Sequence, residues 1–171
     1  MALMLVLGAM TFPQAMAGLD RSRAGIAARY LSAQMALART QAVARSASVA
    51  LRFGADSTGY EFDTFIDGNS NGVLSRDILS GVDRRVSHPQ RLREQFPTVT
   101  IDVQPEVGAG ADPVRIGQSN LLVFTPRGTA TAGSIYVLGR DGSQFVVRVV
   151  GATARTRVER YNRVKHTWVV P

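Results

Sequence analysis

Two hydrophobic rhythms divide this chain. Met1–Leu19 carries no charged residue, and Asp20–Ala47 runs on from it without a linker. In the second stretch Ile26, Tyr30, Leu31, Met35, Ala38 and Ala42 recur at helical spacing and predict one apolar stripe. Arg21, Arg29, Arg39 and Arg45 lie largely off it, as on an amphipathic helix. Ala24, Ala27, Ala28, Ala33, Ala36 and Ala44 keep helix propensity high and the rod thin. Residues 1–47 are therefore expected to form one continuous helical stem, with 1–19 as its apolar segment.

From Ser48 the period drops to two. Val49, Leu51 and Phe53 alternate with Ala50 and Arg52, which predicts a half-buried strand. Further strands are expected at Tyr60–Ile66, around Val99, Ile101 and Val103, and at Leu121–Phe124, Ser134–Leu138 and Phe145–Val150. Ile78-Leu79 reads as a short edge strand. Val82–Gln95 reads as an exposed connection and Pro105–Pro113 as a flexible loop. Gly139-Arg140-Asp141-Gly142 is a good hairpin turn. The expected fold class is α+β: a long N-terminal α-helix packed on an antiparallel, β-sandwich-like head over 48–157, with a basic tail over 158–171.

Composition allows a real core. Of the 171 residues, 45% are hydrophobic and 19% charged, enough for one domain with the stem as an appendage. Cys is absent, which removes disulfides, thiolate zinc sites and a Cys nucleophile together. The net charge is +7, and every basic residue but Lys165 is Arg. Arg suits phosphate through its planar fork, and a basic surface attracts nucleic acid or anionic lipid. A GC-rich genome would give the same Arg-to-Lys ratio.

Three readings compete for the N-terminus. A cleaved signal would use Leu3–Met10 as its apolar core and Ala15-Met16-Ala17 as its cleavage site, but no Lys or Arg precedes that core. A simple anchor would stop at Asp20, Arg21 and Arg23. A filament-subunit stem would place Leu3, Leu5, Val6, Leu7, Phe12 and Pro13 in a membrane before assembly and in a filament core afterwards. The six further turns of helix pattern after Leu19 favour the stem.

Two segments carry candidate chemistry. Asp67-Gly68-Asn69-Ser70-Asn71-Gly72 matches the first half of an EF-hand loop. The closing Glu would fall at position 78, which is Ile, so a distorted Ca²⁺ site would use Asp67, Asn69, Asn71 and Asp77. The same residues also make a tight Asx-type turn for backbone reasons alone. The second segment, Gly151–Trp168, is the most basic stretch. Arg155, Arg157, Arg160, Arg163 and Lys165 interleave there with Tyr161 and Trp168, the ingredients of phosphate contact and base stacking. A solvated edge strand and tail, or a surface for an acidic partner, would look alike. Arg84, Arg85, Arg91 and Arg93 form a lesser basic cluster, read as a soluble loop. Enzymatic signatures are thin: His88 and His166 fall in an expected loop and tail, and no hydrolase, zincin or P-loop spacing occurs. A non-enzymatic protein with no obligatory cofactor is expected.

Four pieces in order resemble the GspH/FimT pseudopilins of type II secretion systems and type IV pili. Met35–Arg45 resembles that family's LARxxAIxR helix end, followed at once by the strand Val49–Phe53. Tyr60–Gly72 resembles its aromatic strand and DxNxNG loop. Ile78-Leu79 stands where a hydrophobic pair is expected, and Phe124-Thr125-Pro126-Arg127-Gly128 with the hairpin through Gly151 resembles its C-terminal sheet. The resemblance covers about Val6–Arg157. It implies a minor pseudopilin or pilin held in the bacterial inner membrane by a single pass, with a periplasmic head. Its partners would be other pilin subunits, the inner-membrane assembly platform and inner-membrane lipid. FimT-like members are linked to DNA uptake, and Arg155 and Arg157 resemble the two arginines of their basic GRxR, with Gly151 displaced. The family's Gly-Phe-Thr-Leu-Ile-Glu-type processing motif is not in the chain; counting back from Pro13 puts its Glu a few residues before Met1. A DNA-binding minor pilin and a signal-bearing secreted β-sandwich are the alternatives.

Overall fold

A computed structural model describes residues 2–108 and 110–171, with side chains from Ser22 onward. Helix α1 spans Ala2–Arg45. The stem residues Leu3, Leu5, Val6, Leu7, Phe12 and Pro13 therefore lie outside the described side chains. Among the described residues no helix is long and apolar enough to cross a membrane.

Helix α1 ends through its own backbone. Ala47 N–H bonds to Ala42 C=O and Ser46 N–H to Val43 C=O, the paired bonds of a Schellman motif. Ser46, at φ 50°, takes the left-handed position that glycine fills most easily. The chain then turns directly into β1 (Val49–Asp56), which pairs with β2 (Gly59–Ile66) in register from Val49↔Ile66 to Asp56↔Gly59.

After β2 come the short helix α2 (Ser75–Leu79), strand β3 (Arg84–Arg85), helix α3 (Leu92–Gln95), strand β4 (Val99–Ile101) and helix α4 (Pro105–Gly108). The chain ends in strands β5 (Val114–Arg115), β6 (Leu121–Phe124), β7 (Gly133–Gly139), β8 (Gln144–Val150), β9 (Arg155–Asn162) and β10 (Thr167–Val169). One sheet runs β3-β2-β1-β6; the other runs β10-β9-β8-β7-β4, with β5 also on β7, and the recorded pairings are antiparallel.

The core lies where α1 meets both sheets. Leu31 and Met35 are fully buried among Val49, Leu51 and Phe124 of one sheet and Ile135, Val137 and Val147 of the other. The small residues Ala24, Ala27, Ala28, Ala38 and Ala42 complete the buried face and let the sheets come close. At Gly25 even a Cβ would stand 3.2 Å from the Phe145 ring.

Four sequence expectations need correction. Ile26 is 48% exposed, because the buried row runs through Ala24, Ala27 and Ala28 and leaves Ile26 on the opposite side of the rod. Ile78-Leu79 is the end of helix α2, not a strand; a two-residue apolar run has no period to separate the two. Val82–Gln95 is partly structured, since Gln90 bridges to Phe62 and Leu92 is buried. The stretch 158–171, read as a tail, is mostly the β9–β10 hairpin, paired along Phe145↔Arg160 and Trp168↔Tyr161.

Candidate functional site

The stem is bound to the head on both flanks. Tyr30 donates its hydroxyl to Gln90 Oε1 at 2.6 Å and accepts from Gln95 Nε2 at 3.0 Å, while its ring stands 5.5 Å from Phe96. On the other side Ser32 and Thr156 share a hydroxyl bond of 2.8 Å. With one face committed to the core, the rest of α1 is displayed. Ile26, Leu37 and Val43 are each about half exposed, at 48%, 51% and 52%. Beside Val43 a groove of about 670 Å³ opens between the stem and Ala154–Thr156, rimmed by Arg39 and Arg155. Sequence reasoning found the apolar stripe but missed this outward set, because Leu37 and Val43 sit off the stripe's spacing.

The Asp67–Gly72 loop is built from Asx turns. Asp67 Oδ1 accepts the N–H groups of Asn69 (3.1 Å) and Ser70 (2.7 Å), and Oδ2 accepts that of Gly72 (2.8 Å). Asp83, absent from the sequence-based set, is the second clamp: it accepts from Gly68 N–H at 3.1 Å and from Leu74 N–H at 2.9 Å. Asp77 Oδ2 accepts from the Asn71 and Asn69 amides at 2.9 and 3.4 Å. The Asn71 amide bond holds the Asp77 carboxyl below the usual carboxylate range, with further support from Asn69 and Arg76. Asp67, Asn69, Asn71 and Asp77 are thus brought into one loop, as the Ca²⁺ reading requires. The oxygens of three of them, however, are already engaged: Asp67 and Asn69 by backbone N–H groups, and Asp77 by the two Asn amides and Arg76. Among the described residues no cluster of three or more His, Asp or Glu side chains is arranged to hold a metal.

The basic candidates do not share one face. Side chains alternate along β9, and Val158 packs on the main core. Arg160 therefore lies on the core-facing side of the sheet, whereas Arg155 and Arg157 lie on the outer side and are exposed. Arg157 stands 4.0 Å from Glu159, whose closer partner is Arg148 at 2.9 Å. Arg163 donates to Gly142 C=O at 2.8 Å and sits 3.7 Å from Glu106. Lys165 is exposed in the β9–β10 turn. On the same outer face Trp168 packs edge-on to Tyr136 at 5.8 Å and beside Tyr161 at 5.3 Å, under the Arg148 guanidinium. The Trp168 ring is therefore engaged by its own sheet.

A helix closing two antiparallel sheets, a short Asx loop after the first hairpin and a meander of strands at the end match a known pattern. Residues 27–154 match the family model described as type II transport protein GspH. The chain belongs to the GspH family. Its fold is also that of a solved structure, the minor pseudopilin EpsH from the type 2 secretion system of Vibrio cholerae. That match has a TM-score of 0.52 at 12% identity and covers 80% of this chain and 95% of the other. No curated protein matches. The pseudopilin resemblance and the α+β fold expected from sequence both stand. The GspH match ends at Ala154, so Arg155–Lys165, the candidate nucleic-acid residues, lie beyond it.

Proposed function

We propose that this GspH-family protein is a minor pseudopilin of a type II secretion system. It would be held in the inner membrane by its N-terminal apolar stretch, with the head in the periplasm, and enter a pseudopilus beside other pseudopilins. The observation that carries this reading is the division of α1 between two surfaces. Ala27, Leu31, Met35 and Ala42 close the head, while Ile26, Leu37 and Val43 stay half exposed on the same rod. Apolar side chains on a helix already anchored to its own domain suit a neighbour that approaches along the rod. The protein's task in this reading is assembly, with no reaction of its own.

Because the chain has no Cys, a single introduced one reports its own contacts. With a thiol-to-amine cross-linker, Leu37→Cys or Val43→Cys is expected to link to a neighbouring pseudopilin in secreting cells, and Arg140→Cys, on the β7–β8 hairpin tip, is not. Loss of the whole protein is expected to reduce export of secreted cargo. Normal export without the protein, together with no cross-link from Leu37 or Val43, would reject the reading.

A second reading, DNA binding by a minor pilin, rests on Arg155 and Arg157, exposed two residues apart on one face of β9. Duplex DNA should then bind with strong salt dependence and weaken on joint replacement of the two by Ala. Equal gel-shift retention by wild type and double variant ends that reading.

A further inference from the structure

Three contacts fix which part of the head lies beside the N-terminal end of the stem. Ser32 bonds Thr156 near the start of β9, a Cβ on Gly25 would meet the Phe145 ring at 3.2 Å, and Phe145 pairs with Arg160. Strand β9 therefore runs antiparallel to α1, and its far end points toward the charge-free segment. A Cβ on Gly139 would stand 3.0 Å from the Ala24 Cβ, so the β7–β8 turn lies at the same end. Beyond Arg160 the chain continues to Asn162 and the turn 163–166. Three residues of strand cover roughly 10 Å, the rise of about six or seven helical residues. Counted back from Gly25, the turn comes level with about Leu19, where the charge-free stretch ends.

The two turns are joined and fixed. Arg163 donates to Gly142 C=O at 2.8 Å, and Asn162 Oδ1 accepts the N–H groups of Val164 and Lys165 at 3.0 and 3.1 Å. At the tip Val164 is 90% exposed, between Arg163 and Lys165. One exposed valine needs no explanation in itself. This one stands among cations, at the end of the head from which the apolar stem departs. Arg140 and Lys165 are exposed and have no ion-pair partner among the described residues, whereas Arg163 has Glu106 at 3.7 Å. Asp141, on the same turn as Arg140, is engaged by the N–H and hydroxyl of Ser143.

We propose that this end of the head rests on the bilayer that holds the stem. Arg140, Arg163 and Lys165 meet the phosphates of anionic lipid headgroups, and Val164 enters the interfacial layer. The proposal rests on the membrane-held pseudopilin reading. Basic side chains next to a membrane segment are drawn to anionic lipid within about a Debye length, roughly 10 Å. An apolar residue flanked by cations suits the same boundary. The stem also brings the lipid surface to these side chains at a high effective concentration, which a soluble acidic partner does not share.

Because the chain has no Cys, Val164→Cys can carry a single bimane label. The full chain would be reconstituted in vesicles of phosphatidylcholine, alone or mixed with phosphatidylglycerol, each doped with a headgroup spin label. Quenching is expected to be at least about threefold stronger with phosphatidylglycerol and to fall to the phosphatidylcholine level in high salt. Joint replacement of Arg140, Arg163 and Lys165 by Gln should bring it to that level as well. A label on Leu79→Cys should stay unquenched. Leu79 is exposed at the opposite end of the head, beyond the Asp67 N–H bond to Ser48 C=O that follows the end of α1.

No quenching at position 164, or quenching indifferent to lipid charge and salt, would overturn the proposal and leave the membrane-held reading standing. Failure of the chain to float with either vesicle would remove both. If polyglutamate shifts the label of the micelle-held chain as strongly as phosphatidylglycerol vesicles do, the tip serves an acidic polypeptide and the proposal falls. The lipid and salt comparisons need only the labelled chain, so they decide the matter even where the triple variant fails to fold.

Discussion

Arginine is used in opposite ways on the two sheets. On the first, Arg52 and Arg85 converge on one buried carboxylate, Asp63, at 3.0 and 3.1 Å, and both guanidiniums lie over the Phe65 ring. Next to them Arg91 is held by Asp56 and Glu61. On the last strands of the second sheet, Arg155 and Arg160 have no such carboxylates, and Arg157 has only a distant share of Glu159. Matched arginines can be explained by folding alone. Unmatched ones leave positive charge that a partner can use, and residues 155–165 carry five basic side chains against one acidic one.

The largest expected effect comes from breaking the matched side. Asp63 is 3% exposed, so Asp63→Asn leaves two guanidiniums facing a neutral amide. Breaking a buried ion pair costs about 3–5 kcal/mol. Arg52 and Arg85 keep 33% and 48% of their side chains exposed, so a smaller loss of about 2–3 kcal/mol is expected. Urea unfolding of the head would measure it, and a loss below about 0.5 kcal/mol would show that the pairs are decoration.

Next in size is the loop beside that network. A Cβ on Gly68 would stand 2.0 Å from the Val82 carbonyl oxygen, a contact that only backbone movement relieves. That movement would disturb the Gly68–Asp83 bond that closes the loop. Gly68→Ala is expected to cost about 1–3 kcal/mol, in the range of overpacking a fitted site. The loss should appear as faster hydrogen exchange at Gly68, Gly72 and Leu74, with the second sheet unchanged.

Acid should act on the same side of the molecule. The Asp77 carboxyl is held low chiefly by the Asn71 amide, and that of Asp56 chiefly by the Thr58 hydroxyl and then its N–H. A carboxyl whose pKa falls on folding contributes stability that is complete above its unfolded value, about 4, and is lost as pH drops through the lower folded value. Stability is therefore expected to fall below about pH 4, and Asp77→Asn with Asp56→Asn should make that fall shallower. An identical pH profile for the double variant would remove these two groups from the account.

Much of this was legible in the residues, and the failures have physical causes. Period-two alternation marked the strand at Val49, and short apolar runs between turns marked those at Tyr60, Leu121, Ser134 and Phe145, because each buries residues against α1 or the facing sheet. The helix was legible as a length and, from Tyr30 to Ala42, as a buried face; only at Ile26 was the face misread. Alanines at 24, 27 and 28 turn the buried row away from the larger Ile26, and hydrophobic size is a poor guide where the sheets demand small residues. The Asp67–Gly72 turn was visible, but its second clamp, Asp83, comes from beyond α2 and carries no local signal. The basic run was visible too. Its division between two faces depends on β9 being a paired strand, and a run of Arg and Thr reads as tail until the neighbour that pairs with it is known.

The smallest expected effect tests the unmatched side. Arg155 and Arg157 are exposed and stand outside the buried clusters, so joint replacement by Ala should change stability by no more than about 0.5 kcal/mol. Arg148, directly opposite Arg157 on the neighbouring strand, is the control. It bonds Glu159 at 2.9 Å and Ser134 at 3.3 Å and covers the Trp168 ring. Arg148→Ala removes all three contacts and leaves Glu159 with only the 4.0 Å approach of Arg157, so a loss of about 1–2 kcal/mol is expected. If the Arg155 and Arg157 double variant instead costs as much as Arg148→Ala, the outer arginines belong to the fold. The division between structural and available charge would then have to be drawn farther along, at Arg160.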